Sequence, residues 1–406
     1  MINYDQLQKI SKDYGDSFYI FDTDQLKENI ELFENSFIQH YPKVEVAYSY
    51  KTNYIPAVLR IIDSLKISPE VVSEMEYDLA SSLGVKLEEI IYNGPVKNRS
   101  SLKKAMINQS RINIDSIDEL NLMIEILPEI NLKSLEIGIR CNFGSFRNSV
   151  SRFGIDVKSE EFELAIQLIR DNGILHLSGF HCHLPDRDKA AVEWRTKQLL
   201  DVSLDTFENA PKFLDFGGGF FGSDFATPRE DSVSFEEYAK IITGLVKSVY
   251  PNANDQPWII LEPGTALVAN TMNYWTRVVA VKEIGSKSIA VVDGSIHELS
   301  PNGRQNRNPT FQLRHSSRSE SSAQAWQVVG YTCIEDDYLS KDFFSDISKG
   351  DFLGYSHVGS YNIVMKPPFI RPASPILELN RNGEVLNVFR ETQTISDIFA
   401  GFRNKD

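Results

Sequence analysis

The sequence has little cysteine, no long apolar run and no excess of positive charge, and each shortage excludes something. Cys141, Cys182 and Cys333 are the three cysteines among 406 residues. They are odd in number and lack the CxxC spacing of a zinc or redox site, so a disulfide framework is not expected. No stretch approaches the roughly eighteen continuous apolar residues of a membrane span. The opening MINYDQLQK has neither the basic start nor the apolar core of a signal peptide, and a cytoplasmic location is expected. Against 56 acidic residues stand 42 basic ones, a formal charge of −14, which argues against nucleic acid or an anionic membrane as partner. The rest, 42% hydrophobic and 24% charged, is ordinary globular composition. The length suits two or three domains, or one barrel with an appendage.

What is present is alternation. In residues 24–37, Leu26, Ile30, Phe33 and Phe37 recur at helical spacing behind Asp22 or Thr23 as a cap. VEVAYSYK then reads as a strand, and strand-like runs go on alternating with helical ones: EVVS before EYDLASSLG, EIIYNG before SLKKAMIN, INIDS before DELNLMIEIL. SLEIGIRCNF precedes a loop, HLSGFHCHL a helix, and FLDFGGGF the helix FEEYAKIITGLVKSVY, after which comes PWIILEPG. About eight such units predict an α/β fold of the (β/α)8 TIM-type barrel class, with a doubly wound open sheet as the alternative. Beyond Gly264 strands follow one another without helices, as in WTRVVAVKEI, SIAVVDG, AWQVVGYTC and PILELNR, which predicts a C-terminal antiparallel β domain. The expected division is 1–24, an N-terminal strand joining that domain, 25–264 for the barrel and 265–406 for the β domain. One long polar connection, 302–324, carries four arginines. A solvated loop is its first reading and a substrate-binding role its second.

Barrels of this kind gather their chemistry at the C-terminal strand ends. Lys51 ends the first strand, where a desolvated lysine can form a Schiff base. Gly217, Gly218 and Gly219 end another, where bare backbone N–H groups can meet a phosphate or simply make a tight turn. Glu262 ends the last, as the partner of a ring nitrogen or of a structural cation. His181 and His183 share a face of one strand. That suits a metal, but no third ligand is evident, and an imidazole against a cofactor ring reads equally well.

In this order the four features resemble the fold-type III pyridoxal-phosphate decarboxylases, the family of the diaminopimelate, ornithine and arginine enzymes with an alanine-racemase-like barrel. The resemblance runs over nearly the whole chain, through AYSYKTN, VVSEMEYDLASSLG, YNGPVKN, INIDSIDEL, SRFGI, GFHCHLPD, FGGGF, LEPG, VVDG, GYTCIEDD and VGSY. It implies pyridoxal 5′-phosphate on Lys51, His183 stacked on its ring, Glu262 at the ring nitrogen, and the phosphate held by Gly217, Gly218, Gly219 and Tyr361. Glu76, Arg152, Arg140 and Asn142 fall on positions around the lysine. The resemblance also implies a homodimer with shared active sites, in which Cys333 and Asp337 reach into the partner's barrel. Cys333 would return the proton to Cα after carbon dioxide leaves.

Several positions depart from that family. Asp186 stands where a phosphate-binding Ser is usual, and Thr265 where many members carry Arg. Ile334 replaces the acidic residue that meets a distal amine, and Glu335, its neighbour on a presumed strand, would point the other way. SPNGR leaves Arg304 as the nearby charge for a distal carboxylate, with Arg307 and Arg314 further along the loop. The expectation is therefore decarboxylation of a larger or modified amino acid in a specialised biosynthetic pathway, and not of diaminopimelate or ornithine, with Asp337, Ile334 and Arg304 as substrate contacts. An amino-acid racemase on the same fold and a catalytically inactive binding homologue are the alternatives.

Overall fold

The computed structural model describes residues 2–147, 149–222, 232–300, 306–316, 322–366 and 368–403. Two compact units emerge, Glu28–Leu267 and the pair of segments Met1–Lys27 and Val268–Asp406.

The first unit is a closed barrel. Its strands are β1 (Val44–Ser49), β2 (Ser68–Val71), β3 (Ile91–Tyr92), β4 (Arg111–Ile114), β5 (Leu135–Asn142), β6 (Leu175–His181), β7 (Phe213–Asp215) and β8 (Trp258–Leu261). Each pairs in parallel with the next, and β8 returns to β1, which excludes the open-sheet alternative. Ala47 on β1, Ile91 on β3, Phe213 on β7 and Ile260 on β8 form a buried cluster. Side-chain caps set where the outer helices begin. Ser73, Asn98, Ser116, Ser159, Asp188 and Ser234 each accept a backbone N–H at the start of Glu74–Ser82, Arg99–Ile107, Ile117–Ile126, Glu160–Asn172, Lys189–Thr206 and Phe235–Val249. Each such cap is worth about 1 kcal/mol, and together they fix where strand gives way to helix, which is where the site residues lie. The helix Glu160–Asn172 follows SLEIGIRCNF, where the sequence pattern suggested only a loop. Phe33, fully buried, packs on Phe37, Phe220 and Phe235 at ring separations of 5.1, 5.2 and 4.9 Å.

The second unit is a sheet ordered Tyr338–Ser345, Gln324–Val329, Lys287–Val292, Met272–Ile284, Ser17–Phe21, Ile376–Leu379, Val385–Arg390. It is mostly antiparallel, but Ser17–Phe21 runs parallel to Ile376–Leu379, and Lys287–Val292 parallel to Gln324–Val329. A helix, Tyr4–Tyr14, precedes the first strand, so residues 1–24 are more than a strand. Asn3 and Gln6 form its capping box, and Leu7 and Ile10 bury one face against Phe18, Trp275, Phe352 and Leu377.

The strand read as AWQVVGYTC ends at Val329, and residues 331–336 form turns. Asp337 anchors them. It is 3% exposed, and its carboxylate accepts from Ser295 Oγ (3.1 Å), Ile296 N–H (2.8 Å), Thr332 N–H (3.2 Å) and Thr332 Oγ1 (2.7 Å). Both oxygens are thus engaged inside its own unit, and the expected substrate contact by Asp337 is replaced by a structural one. Cys333, Ile334 and Glu335 are all exposed on the turn that it holds. Tyr361, in the same unit, adopts a left-handed conformation (φ +64°) just before the short helix Asn362–Met365. Arg304 lies outside the described residues.

Candidate active site

Every chemistry-bearing side chain of the barrel sits at or just past the C-terminal end of a strand. Lys51 follows β1 in a single 3-10 turn, Tyr50–Thr52. Its Nζ lies 2.7 Å from Oε2 of Glu70 on β2 and 3.0 Å from Ser49 Oγ. Ser49 Oγ donates to the same Glu70 oxygen. The other Glu70 oxygen accepts from Asn93 Nδ2 at 3.1 Å, and Asn93 Nδ2 also donates to Glu262 Oε1 at 2.6 Å. Asn113 on β4 completes the amide by donating to Asn93 Oδ1 at 2.8 Å. A continuous hydrogen-bond chain, buried from Glu70 onward, therefore joins Lys51 to Glu262 through Glu70 and Asn93.

Glu262 follows β8, and its N–H donates to Gly217 O, which sets it beside the loop after β7. Asp215 and His181 complete its surroundings, with His181 Nε2 3.4 Å from Glu262 Oε2. Burial pushes the Asp215 carboxyl well up, and the neighbouring Glu262 charge pushes it further. For Glu262 burial also opposes ionisation, but His181 and Lys51 overcome it and hold the group below the usual carboxylate range. The side-chain atoms of His181, Asp215 and Glu262 all come within 4.8 Å of one another, the third-ligand set that the HCH spacing alone did not show. Asp215 has both oxygens engaged, Oδ1 by the Gly217 N–H and Oδ2 by Asn113 Nδ2 at 3.5 Å, and Glu262 Oε1 is taken by Asn93 Nδ2. His183 turns away from this group. Its Nδ1 accepts from Gly218 N–H at 3.1 Å, so the proton of the neutral ring is on Nε2, and burial, with Lys51 and Arg140 near, holds its pKa well below the usual histidine value.

The glycine triplet is bare of necessity. Gly217 and Gly219 have φ of +62° and +83°. A Cβ on Gly217, Gly218 or Gly219 would come within 2.4, 2.8 or 2.7 Å of the main-chain oxygens of Cys182, Glu262 and Leu184. Two of its N–H groups are used internally, Gly217's by Asp215 and Gly218's by His183. The Gly219 N–H has no partner among the described residues.

Other expected residues have structural partners. Arg140 is ion-paired with Asp115 at 3.0 Å and lies over the Phe153 ring. Asn142 ties its own strand end to Ser151 O and Phe153 O, both at 2.8 Å. Arg152 is exposed and stacks on Phe153. Glu76 is buried and accepts the Val72 N–H at 2.7 Å. At Asp186 it is the main-chain oxygen that faces the triplet, 3.6 Å from the Cβ position of Gly219. Thr265 opens the short helix Thr265–Val268. The sequence reading passed over Glu70, Asn93, Asn113 and Asp215. Their signal was a polar residue inside or ending an otherwise apolar strand run.

The residues present fit a phosphorylated pyridoxal ring. The site has a lysine at a strand end, an ionised buried carboxylate for a protonated ring nitrogen, a neutral imidazole and a side-chain-free turn with an open N–H. His181 has both ring nitrogens buried without a hydrogen bond.

The profile of the family "Pyridoxal-dependent decarboxylase, pyridoxal binding domain" matches residues 23–269. The diaminopimelate decarboxylase of Methanothermobacter thermautotrophicus is 28% identical, the alignment covering 97% of this chain and 93% of the relative. That of Bacillus subtilis is 26% identical over 94% and 91%. Among solved structures, the M. jannaschii diaminopimelate decarboxylase superposes with a TM-score of 0.86 at 21% identity, covering 98% of this chain and 94% of its own. The Paramecium bursaria Chlorella virus arginine decarboxylase bound to agmatine gives 0.72 at 18% identity, covering 89% and 96%.

These relatives overturn the exclusion of diaminopimelate. Proteins named for that activity align over nearly the whole chain at 22–28% identity. The exclusion rested on Ile334 and Glu335 as neighbours on a strand and on the cations missing at Thr265 and in SPNGR; the strand is not there, because the segment is a turn closed by Asp337 N–H to Ile334 O at 3.0 Å. The barrel, the fit of its strand-end residues and the profile over 23–269 give one conclusion: the chain belongs to the pyridoxal-dependent decarboxylases and is a pyridoxal-phosphate-dependent carboxy-lyase.

Proposed function

We propose that this decarboxylase acts on diaminopimelate, removing one α-carboxylate at the mouth of the barrel. The observation that carries the site is the chain from Lys51 through Glu70 and Asn93 to Glu262, and the names of the relatives supply the substrate. Pyridoxal phosphate, when bound, supplies a ring conjugated to Cα that accepts the electron pair left as carbon dioxide departs.

The chain's own residues do the rest. Lys51 holds the cofactor and is exchanged for the substrate amine, and Glu70, 2.7 Å from Nζ, takes and returns the proton which that exchange moves. Glu262 keeps the ring nitrogen protonated, and Asn93 Nδ2 holds Glu262 in place. His183, fixed as the neutral tautomer by Gly218 N–H, presents its face to the ring. The open Gly219 N–H receives the phosphate. Cys333, exposed on its turn, is the acid that returns a proton to Cα, acting in the barrel of a partner subunit in a homodimer. Glu335 on the same turn offers a carboxylate to the distal ammonium.

Measured release of carbon dioxide from diaminopimelate, ornithine, lysine and arginine tests the reading. Turnover of diaminopimelate at about one per second or faster, with the others much slower, is expected. Fast release from ornithine or arginine with none from diaminopimelate would assign a different substrate.

A further inference from the structure

Arg195 lies in the helix Lys189–Thr206 and is entirely buried, among the largest fully buried side chains of the described residues. One of its five donors has a clear partner, with Nη1 2.7 Å from Gly218 O. Nε and Nη2 are buried with no hydrogen bond, and no carboxylate is paired with the guanidinium among the described residues. The Phe220 ring, 5.2 Å from Cζ, covers one face of the group but satisfies none of its edge donors. A buried cation without a counter-ion costs several kcal/mol, and proteins keep one where a ligand supplies the missing charge. Elsewhere in the barrel the buried cation Lys97 has its acid, Glu119, at 2.7 Å.

That place is the back of the glycine triplet. Nη1 lies 3.1 Å from where a Gly219 Cβ would be. The Gly218–Gly219 peptide has its oxygen drawn toward Arg195, and in a trans peptide the N–H points the opposite way. The Gly219 N–H is the one in the triplet without a partner. Arg195 therefore polarises the peptide whose free end faces outward and adds a full positive charge behind it, in surroundings of low dielectric.

We propose that Arg195 is the positioning residue and counter-charge for the cofactor's phosphate dianion, acting through the Gly218–Gly219 peptide. This rests on the reading that the triplet holds the phosphate, so the experiment separates the two. Binding of pyridoxal phosphate and of unphosphorylated pyridoxal to the apoprotein is followed by absorbance in wild type, Arg195→Met, Arg195→Lys and Gly219→Ala. Expected in Arg195→Met is a rise of about thirtyfold or more in the Kd for pyridoxal phosphate, with the Kd for pyridoxal within about twofold of wild type. Arg195→Lys, which keeps the charge but loses the fork, falls between. If Gly219→Ala loses the preference for the phosphorylated form and both Arg195 variants keep it, the role of Arg195 is overturned while the phosphate cradle stands. Should Gly219→Ala keep it as well, both are overturned. If Arg195→Met does not fold, inorganic phosphate decides, because it should raise the melting temperature of the wild-type apoprotein and raise that of Arg195→Lys less. Equal shifts in the two would overturn the proposal.

Discussion

Asn93 Nδ2 stands 2.6 Å from Oε1 of Glu262, and this amide is what ties the buried Glu262 carboxylate to Glu70 on the lysine side of the site. A hydrogen bond to a charged, buried acceptor is worth about 1.5–3 kcal/mol. Asn93→Ala should therefore lower kcat about ten- to hundredfold with KM little changed, since the loss falls on the reacting centre and not on substrate binding. Steady-state kinetics with the cofactor saturating measure the split.

Removing the lysine amine should abolish the lysine-bound chromophore. Lys51→Ala is expected to lack the visible absorption of the wild-type holoenzyme while remaining folded, because the side chain is one-third exposed and leaves no deep cavity. Absorbance after dialysis, beside circular dichroism, reports both.

Glu76 makes stability pH-dependent. Burial pushes its carboxyl up from about 4.5 to about 7. Between those values the unfolded chain has lost the proton that the folded one keeps, so this group's contribution falls as pH rises through the window and is smallest above about 7. Glu76→Gln keeps an acceptor for the Val72 N–H and cannot ionise. The variant should gain stability relative to wild type above pH 7 and show a flatter slope below it, which urea midpoints across pH measure.

The aromatic cluster behind the triplet carries much of the local stability. Phe33 touches three other rings, and Phe33→Ala should cost about 3–5 kcal/mol, read as a lower urea midpoint with unchanged m-value.

Subunit exchange tests the shared site. Lys51→Ala and Cys333→Ala proteins, each inactive alone, should recover partial activity on mixing if Cys333 serves the partner's barrel. Demonstrated exchange without recovery would place the acid elsewhere.

The sequence by itself determined the barrel, the strand-end positions of Lys51, His183 and Glu262, and the glycine triplet, because these depend on local periods and on residues whose backbone or charge is informative alone. Even the helix at 4–14 was within reach, through Asn3, Gln6, Leu7 and Ile10. Tertiary structure decided what a linear pattern does not encode. Glu70, Asn93 and Asp215 became one hydrogen-bonded set only when strands distant in sequence closed into a ring. The turn at 331–336 was hidden because strand alternation continues on paper until a long-range anchor such as Asp337 ends it. Arg195 is one charged residue in a helix, and only packing buries it with no carboxylate partner among the described residues, since burial is a property of the whole fold and not of the residue.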